Sequence, residues 1–265
     1  MRPQSRKQSK ILMDLGQREP QGLFFEITLL EFSKFYIKKG TVAIDVGANV
    51  GFHSLEFLKY LNNSGKVIAI EPIEHLAQNL RGIQNSNFEV HCCAIGRRKG
   101  IQTFHEIVEL NGWSGLRKRG DTPEGLGSKM YDVQVETLDS LVMQDNHRVS
   151  FIKLDLEGGE FDALLGARNL LARDKPVIVF ENALDESAAL YDYTSIEFFD
   201  FFTKIGYQIY DLFGRKVSNF DFKENQPQPW EFILLPKGSS RLLFLIKLRI
   251  ALFKAKRSFL ERYPL

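Results

Sequence analysis

Two stretches of the sequence gather residue types suited to holding and activating a small molecule. In the first, Asp45 closes a β-branched apolar run, and Gly47 and Gly51 bracket a turn that carries Ala48 and Asn49 into an amphipathic segment. Glycine there lets the backbone approach a ligand and take positive φ, and Asn tolerates the left-handed region. The pattern is not the G-x-G-x-x-G of dinucleotide sites, because it lacks the middle glycine that brings backbone against a pyrophosphate. A turn opened by an acid suits a ligand with a cationic end and no phosphate. Glu71, followed by Pro72, lies 20 residues past Gly51 at the end of the next β-branched run. A carboxylate there is placed to accept the two hydroxyl hydrogens of a ribose. Together these features imply an adenosine ligand; the plainer alternative is an ordinary strand-turn-helix with Glu71 solvated.

In the second stretch, Lys153, Asp155, Glu157 and Glu160 follow one another across a strand end and the Gly158-Gly159 pair. Ligands of open α/β sheets bind at that edge. On a strand Lys153 and Asp155 share one face, whereas Glu157 and Glu160 fall in the turn or at a helix start, where the helix dipole favours carboxylates. A carboxylate or a neutral lysine at this edge could take a proton from a reacting hydroxyl. Asp155 is the candidate base, with Lys153 and Glu157 tuning or orienting it; helix-start charge plus a salt bridge is the plainer reading. Asp155, Glu181 and Asn182 could also meet as oxygen ligands for a hard divalent metal, although helix-capping or substrate contacts are the preferred account of Glu181 and Asn182. His53 is a further candidate base, more simply a packed or surface histidine.

These residues need a scaffold, and the hydropathy pattern supplies one. Short β-branched runs at 41–46, 66–70, 88–94, 149–154 and 177–180 alternate with helical patterns at 52–61, 73–83 and 161–171, the signature of crossover units on a parallel sheet. A helical pattern at 23–37 precedes them. A Phe-rich helix at 196–205 follows, whose ring-bearing positions read as core, and then runs at 207–212 and 231–235 that could pair antiparallel. The segment 100–146 is rich in Gly and charge, with a strand at 131–135 and a Trp113-Ser114-Gly115 turn that could border a ligand. Cys92 and Cys93 read as strand residues.

The 265 residues carry a formal charge of +2, too balanced for a nucleic-acid polycation, so no nucleic-acid partner is expected. From Arg241 onward seven basic residues oppose one acid, leaving the tail at +6 and the body at −4. The tail reads as a separate, imperfectly amphipathic helix that docks on the body or a partner, with contact to a membrane surface the lesser expectation. Two adjacent cysteines form no disulfide framework or zinc pattern, and the first residues show no apolar signal core, so a cytoplasmic location, at most peripheral to a membrane, is expected. The expected division is a lead-in at 1–21, a domain at 22–238 and the basic helix at 239–265.

Taken together, the Asp-Val-Gly-Ala-Asn-Val-Gly run at 45–51, Ile70-Glu71-Pro72, Glu136-Thr137-Leu138-Asp139-Ser140-Leu141, Lys153-Leu154-Asp155-Leu156-Glu157-Gly158-Gly159-Glu160 and Phe180-Glu181-Asn182 resemble the FkbM family of S-adenosylmethionine-dependent methyltransferases. The resemblance spans about 22–236 and departs mildly at Gly159, where a residue such as Ala is more usual; the tail lies outside it. It implies a class I methyltransferase, Rossmann-like, mostly parallel sheet of seven strands with flanking helices, an N-terminal helical cap and O-methylation of a sugar, glycan precursor or secondary metabolite. By this resemblance Asp45, Gly47, Ala48, Asn49 and Gly51 cradle the methionine end of the cofactor, Glu71 and Pro72 meet the ribose, and Asp155 lies near the cofactor's amino group or the reacting hydroxyl. Two rival readings stand beside it: a catalytically silent adenosine-ligand protein on the same fold, and an NAD-dependent oxidoreductase, disfavoured by the missing glycine and by Asp45.

Overall fold

A computed structural model describes residues 20–262 apart from 121, 123–124, 144–146 and 220–229; the predicted lead-in therefore lies almost wholly outside the described residues. The chain runs α1 (Pro20–Ser33), β1 (Thr41–Val46), α2 (Phe52–Leu61), β2 (Gly65–Ile70), α3 (Glu74–Arg81), β3 (Phe88–His91), β4 (Ala94–Ile95), β5 (Gly100–Ile107), β6 (Ser128–Glu136), α4 (Leu138–Val142), β7 (Val149–Leu154), α5 (Glu160–Leu165), α6 (Arg168–Asp174), β8 (Val177–Glu181), α7 (Asp185–Tyr191), α8 (Ser195–Lys204), β9 (Tyr207–Asp211), β10 (Lys216–Val217), β11 (Glu231–Pro236) and α9 (Arg241–Arg262).

Among the described residues the main sheet orders its eight strands β10-β9-β11-β8-β7-β1-β2-β3. β1 pairs parallel with β2 and β7, whereas β11 runs antiparallel to both β8 and β9. The seven strands expected become eight because the two-residue β10 folds back on β9. Strand order reverses direction of growth at β1 and β7, which opens a crevice outside their carboxyl ends.

Strand alternation divides the core. Val42, Ile44, Val46, Ile152 and Leu154 face α5, α6 and α8, where Phe161, Phe198 and Phe202 fill the space as packed rings. Ala43 and Phe151 face the opposite layer of α1, α2 and α9, with Phe32, Phe57 and Phe244. The helix expected over 161–171 is two helices, the first ending at its cap residue Gly166, which packs so closely on the Gly96 carbonyl that a Cβ would lie 2.3 Å from it. α8 begins where Thr194 and Glu197 exchange reciprocal bonds with each other's backbone N–H, a capping box.

The expected strand 88–94 stops at His91; the chain then enters a second, three-stranded sheet, β4-β6-β5. That sheet is the body of the 100–146 insert, and it packs Phe104, Val133 and Val135 against Ile73 and Leu76. The tail helix α9 is not detached: Phe244, Leu248, Ala251 and Ala255 are buried, and the first three join the layer formed by α1 and the sheet.

Candidate functional site

The turn after β1 is built by close backbone approach. Asp155 N–H donates to the Val46 carbonyl at 3.1 Å, and the Asp155 carbonyl sits where a Gly47 Cβ would be, 1.9 Å away. Gly47 at φ 76° is therefore required by the neighbouring strand β7, not only by a ligand. Gly51, at φ 81°, precedes α2, and its missing Cβ makes room for Leu80 of α3. Asn49 takes the left-handed conformation at φ 48°, which turns its N–H toward β2.

That N–H donates to Glu71 Oε2 at 2.8 Å, and Ile73 N–H donates to Oε1 at 2.9 Å. Burial pushes the Glu71 carboxyl up to about 7, against the pull of these two bonds. Each carboxylate oxygen has two lone pairs, so one direction on each oxygen is left for a ligand. Glu71 lines a cleft together with Gly47, Asn49, Pro72, Asp155 and Gly159. Its apolar side is Ile70, Ile73, Cys93, Ile95 and Phe104, and Asn111, Gly112, Ser114 and Gly115 cover it. Ser114 and Gly115 thus both form the turn and border the cleft, while the Trp113 ring lies 4.8 Å from the Arg119 guanidinium.

Asp45, Ala48 and Gly51 do not reach the cleft wall. Asp45 lies fully buried beneath the turn, accepting from Ser54 Oγ at 2.5 Å. The cation it meets is not a ligand's: it is Lys153 Nζ, 4.0 Å away. Asp45 and Lys153 are register partners on β1 and β7, so strand pairing itself juxtaposes them. Lys153 also donates to Asp155 Oδ2 at 3.0 Å. Although burial opposes its charge, Asp155, Asp45 and Glu26 hold the ammonium well above the usual lysine range. That direction runs against the neutral-lysine base considered from sequence and fits Lys153 as the group that orients Asp155.

Asp155 is shared between this cleft and a smaller recess lined by Phe25, Glu26, Lys153, Glu181 and Glu231. Glu181 in turn borders a third cleft, about 1,100 Å³, with Arg119, Glu157, Glu186, Ser187 and Trp230. Carboxylates dominate this side. Glu157, left-handed at φ 52°, pairs with Arg119, yet burial and then Asp155 push it up to about 8. Burial and then Glu26 do the same to Glu231, to about 8, and burial with Asp155 and Glu157 raises Glu181 well above its ordinary value. Glu160 is structural: it accepts from the N–H groups of Leu156 (2.8 Å) and Gly158 (3.2 Å) and from Asn182 Nδ2 (3.2 Å).

Asn182 spends its other groups internally, with Nδ2 3.3 Å from Tyr193 Oη and Oδ1 accepting from Leu184 N–H at 2.8 Å. That internal use removes it from the metal set considered from sequence, and among the described residues no group of three or more His, Cys, Asp or Glu is gathered for a metal ion. His53 is buried, its Nε2 2.8 Å from Glu26 Oε2, and does not border the Glu71 cleft. Sequence reasoning did not foresee Phe104, Tyr191 or Arg119. For Phe104 the signal is misleading, since in β5 Ile101 is 63% exposed while Glu106 is buried, the reverse of what hydropathy suggests.

A switch-point cleft with a carboxylate at the second strand tip, on a mostly parallel sheet in which β10 and β11 run against the rest, defines a methyltransferase-like α/β fold. Residues 45–209 match the family model of the methyltransferase FkbM domain, and the chain belongs to that family. Among solved structures, it is similar to a methyltransferase FkbM from Methylobacillus flagellatus KT, at 21% identity and TM-score 0.43, over 74% of this chain and 43% of that one. The chain thus spans less than half of that protein's length. It is also similar to a precorrin-6y C5,15-methyltransferase from Geobacter metallireducens GS-15 (15% identity, TM-score 0.40, 80% of this chain and 88% of that one). A third is the plantazolicin methyltransferase BpumL in complex with SAH (14% identity, TM-score 0.40, 95% and 86%). No curated protein matches the sequence.

Proposed function

We propose that the protein is an S-adenosylmethionine-dependent O-methyltransferase whose acceptor is a hydroxyl of a sugar, glycan precursor or secondary metabolite. The observation that carries this reading is Glu71: its carboxylate is clamped by two backbone N–H groups at the tip of β2 and borders a cleft with an apolar wall. Glu71 and Pro72 would hold the ribose, the apolar wall from Ile70 to Phe104 the adenine, and Gly47 and Asn49 the methionine end, with Asp45, Ala48 and Gly51 shaping the turn from behind. When bound, the cofactor supplies a methyl group on a sulfonium.

In-line displacement needs alignment of oxygen, carbon and sulfur more than stabilisation of an intermediate. Asp155 stands where the nucleoside cleft meets the recess leading to Glu181, so it is placed to take the acceptor's proton. Lys153 holds that carboxylate by one oxygen, leaving the other for the hydroxyl. Glu157, Glu181 and Glu186 lie beyond it with the half-exposed Trp230 ring, a surface fitted to a neutral or cationic polyhydroxylated acceptor rather than a phosphorylated one.

Two variants test the reading. Glu71→Ala is expected to weaken S-adenosylmethionine binding in calorimetry by about 10- to 100-fold, the worth of hydrogen bonds to a charged group. Asp155→Asn is expected to leave that affinity within a small factor and lower turnover by about 10²- to 10⁴-fold in an acceptor screen. Unchanged binding in Glu71→Ala would sink the nucleoside assignment; unchanged turnover in Asp155→Asn would remove only the base.

A further inference from the structure

The helix α9 presents two different faces. Its inner face is the buried stripe of Phe244, Leu248, Ala251 and Ala255. On the outside Phe253 is 71% and Ile250 39% exposed, and they alternate with the exposed cations Arg249, Lys254, Lys256 and Arg257. Apolar residues on both faces explain the imperfect amphipathicity: one set is consumed by the body and the other is left outside.

The cationic surface continues onto the end of α1. Lys247 lies 4.4 Å over the Tyr36 ring, and Lys254 5.9 Å from the Phe35 ring. Exposed Lys38 and Lys39 follow, and partial burial together with Lys38 holds Lys247 below the usual lysine range. Glu31 answers two of the cations, Lys34 and Lys254, each at 3.7 Å. At the foot of this face a cleft of about 730 Å³ is lined by Lys38, Arg148, Lys175 and Ser150, with no carboxylate in its wall. Arg148 and Lys175 already donate to the carbonyls of Asp174 (2.9 Å) and Ile205 (2.6 Å), bonds that orient both side chains.

We propose that the outward face of α9, with Lys38 and Lys39, docks the protein on an anionic phospholipid surface. A helix with cations flanking exposed aromatic and aliphatic side chains lies in the headgroup plane, its apolar residues entering between headgroups and its cations meeting lipid phosphates. The interleaved Phe253 and Ile250 favour lipid over nucleic acid, which would be met by cations alone at its phosphates. The basic cleft at the foot suits a phosphate headgroup. The helix lies on the surface and does not cross it, since no helix among the described residues is long and apolar enough to span a membrane.

The test is co-sedimentation of the full chain with phosphatidylcholine vesicles, with and without phosphatidylserine, beside three surface variants checked for unchanged thermal unfolding. Wild type is expected to pellet with the anionic vesicles only. The double variant Lys254→Glu, Arg257→Glu should bind them at least about 10-fold more weakly, and Phe253→Ser severalfold more weakly at elevated salt. Lys38→Glu should weaken binding to the same vesicles. Equal binding to both vesicle types, or wild-type behaviour in the charge-reversed variant, would overturn the proposal. Tighter binding to a mixed-sequence oligonucleotide than to the anionic vesicles would overturn it in favour of nucleic acid, and a dimer dissociated by Phe253→Ser in favour of a second copy of the chain.

Discussion

The two halves of the site are built by opposite means. On the β1–β2 side, the polar groups of the cleft are satisfied within a short stretch of chain: Asn49 and Ile73 clamp Glu71 through backbone N–H groups. On the β7–β8–β11 side, Asp155 and Glu157 in the turn after β7 meet Glu181 of β8 and Glu231 of β11, and burial together with Asp155 raises the other three carboxyls. Their cations are already committed, Lys153 to Asp155 and Asp45, and Arg119 to Glu157. The first half is a rigid mould set by turn geometry, suited to a constant ligand. The second is a gathering of buried acids from several elements, the side to which the proposed function assigns the acceptor.

The comparison breaks most sharply at Gly47. Its absent Cβ is the space in which the backbone after β7 touches that after β1, and backbone cannot move aside. Gly47→Ala is expected to cost about 4 kcal/mol or more, or to yield no folded protein, in denaturant unfolding; a wild-type transition would show that the two halves are not locked together there.

A smaller effect follows from the raised carboxyls. Glu71 and Glu160 at about 7, with Glu157 and Glu231 at about 8, bind protons in the folded protein that the unfolded chain has released by then. A folded state holding more protons loses stability as pH rises. The melting temperature of the ligand-free protein should therefore fall by several degrees between pH 5 and 8. The Glu231→Gln variant should flatten part of that slope; a melting temperature that rises across this window contradicts the buried-acid account.

The smallest expected effect is at Gly159. A Cβ there would lie 2.9 Å from the Tyr191 hydroxyl, the far end of a side chain, and the backbone is at an ordinary φ of −80°. Gly159→Ala should cost about 1 kcal/mol or less, a shift of roughly 2–4 °C. A loss as large as that of Gly47→Ala would mean Tyr191 is as fixed as the backbone.

Legibility from sequence follows the same division. Strands 41–46 and 149–154 and the helix 52–61 were readable to the residue, because buried β-branched runs and a glycine turn are local signals. The orienting role of Lys153 toward Asp155 was legible, whereas Asp45 was weighed against a ligand's cation when strand register makes Lys153 its partner. The 100–146 insert was largely opaque: β5 exposes Ile101 and buries Glu106, so its alternation points the wrong way until β6 and the cleft are in place.

The amino-acid sequence alone determined the parallel architecture, the glycine turn and the carboxylate that closes β2, because backbone conformation and hydropathy period act over a few neighbouring residues. Tertiary structure decided that Gly47 must be bare, that Lys153 meets Asp45 as well as Asp155, that Asn182 serves Glu160 and α7, and that α9 has an outer face at all. Those outcomes depend on which distant groups share a low-dielectric space or a van der Waals contact, and spacing along a chain carries no record of that.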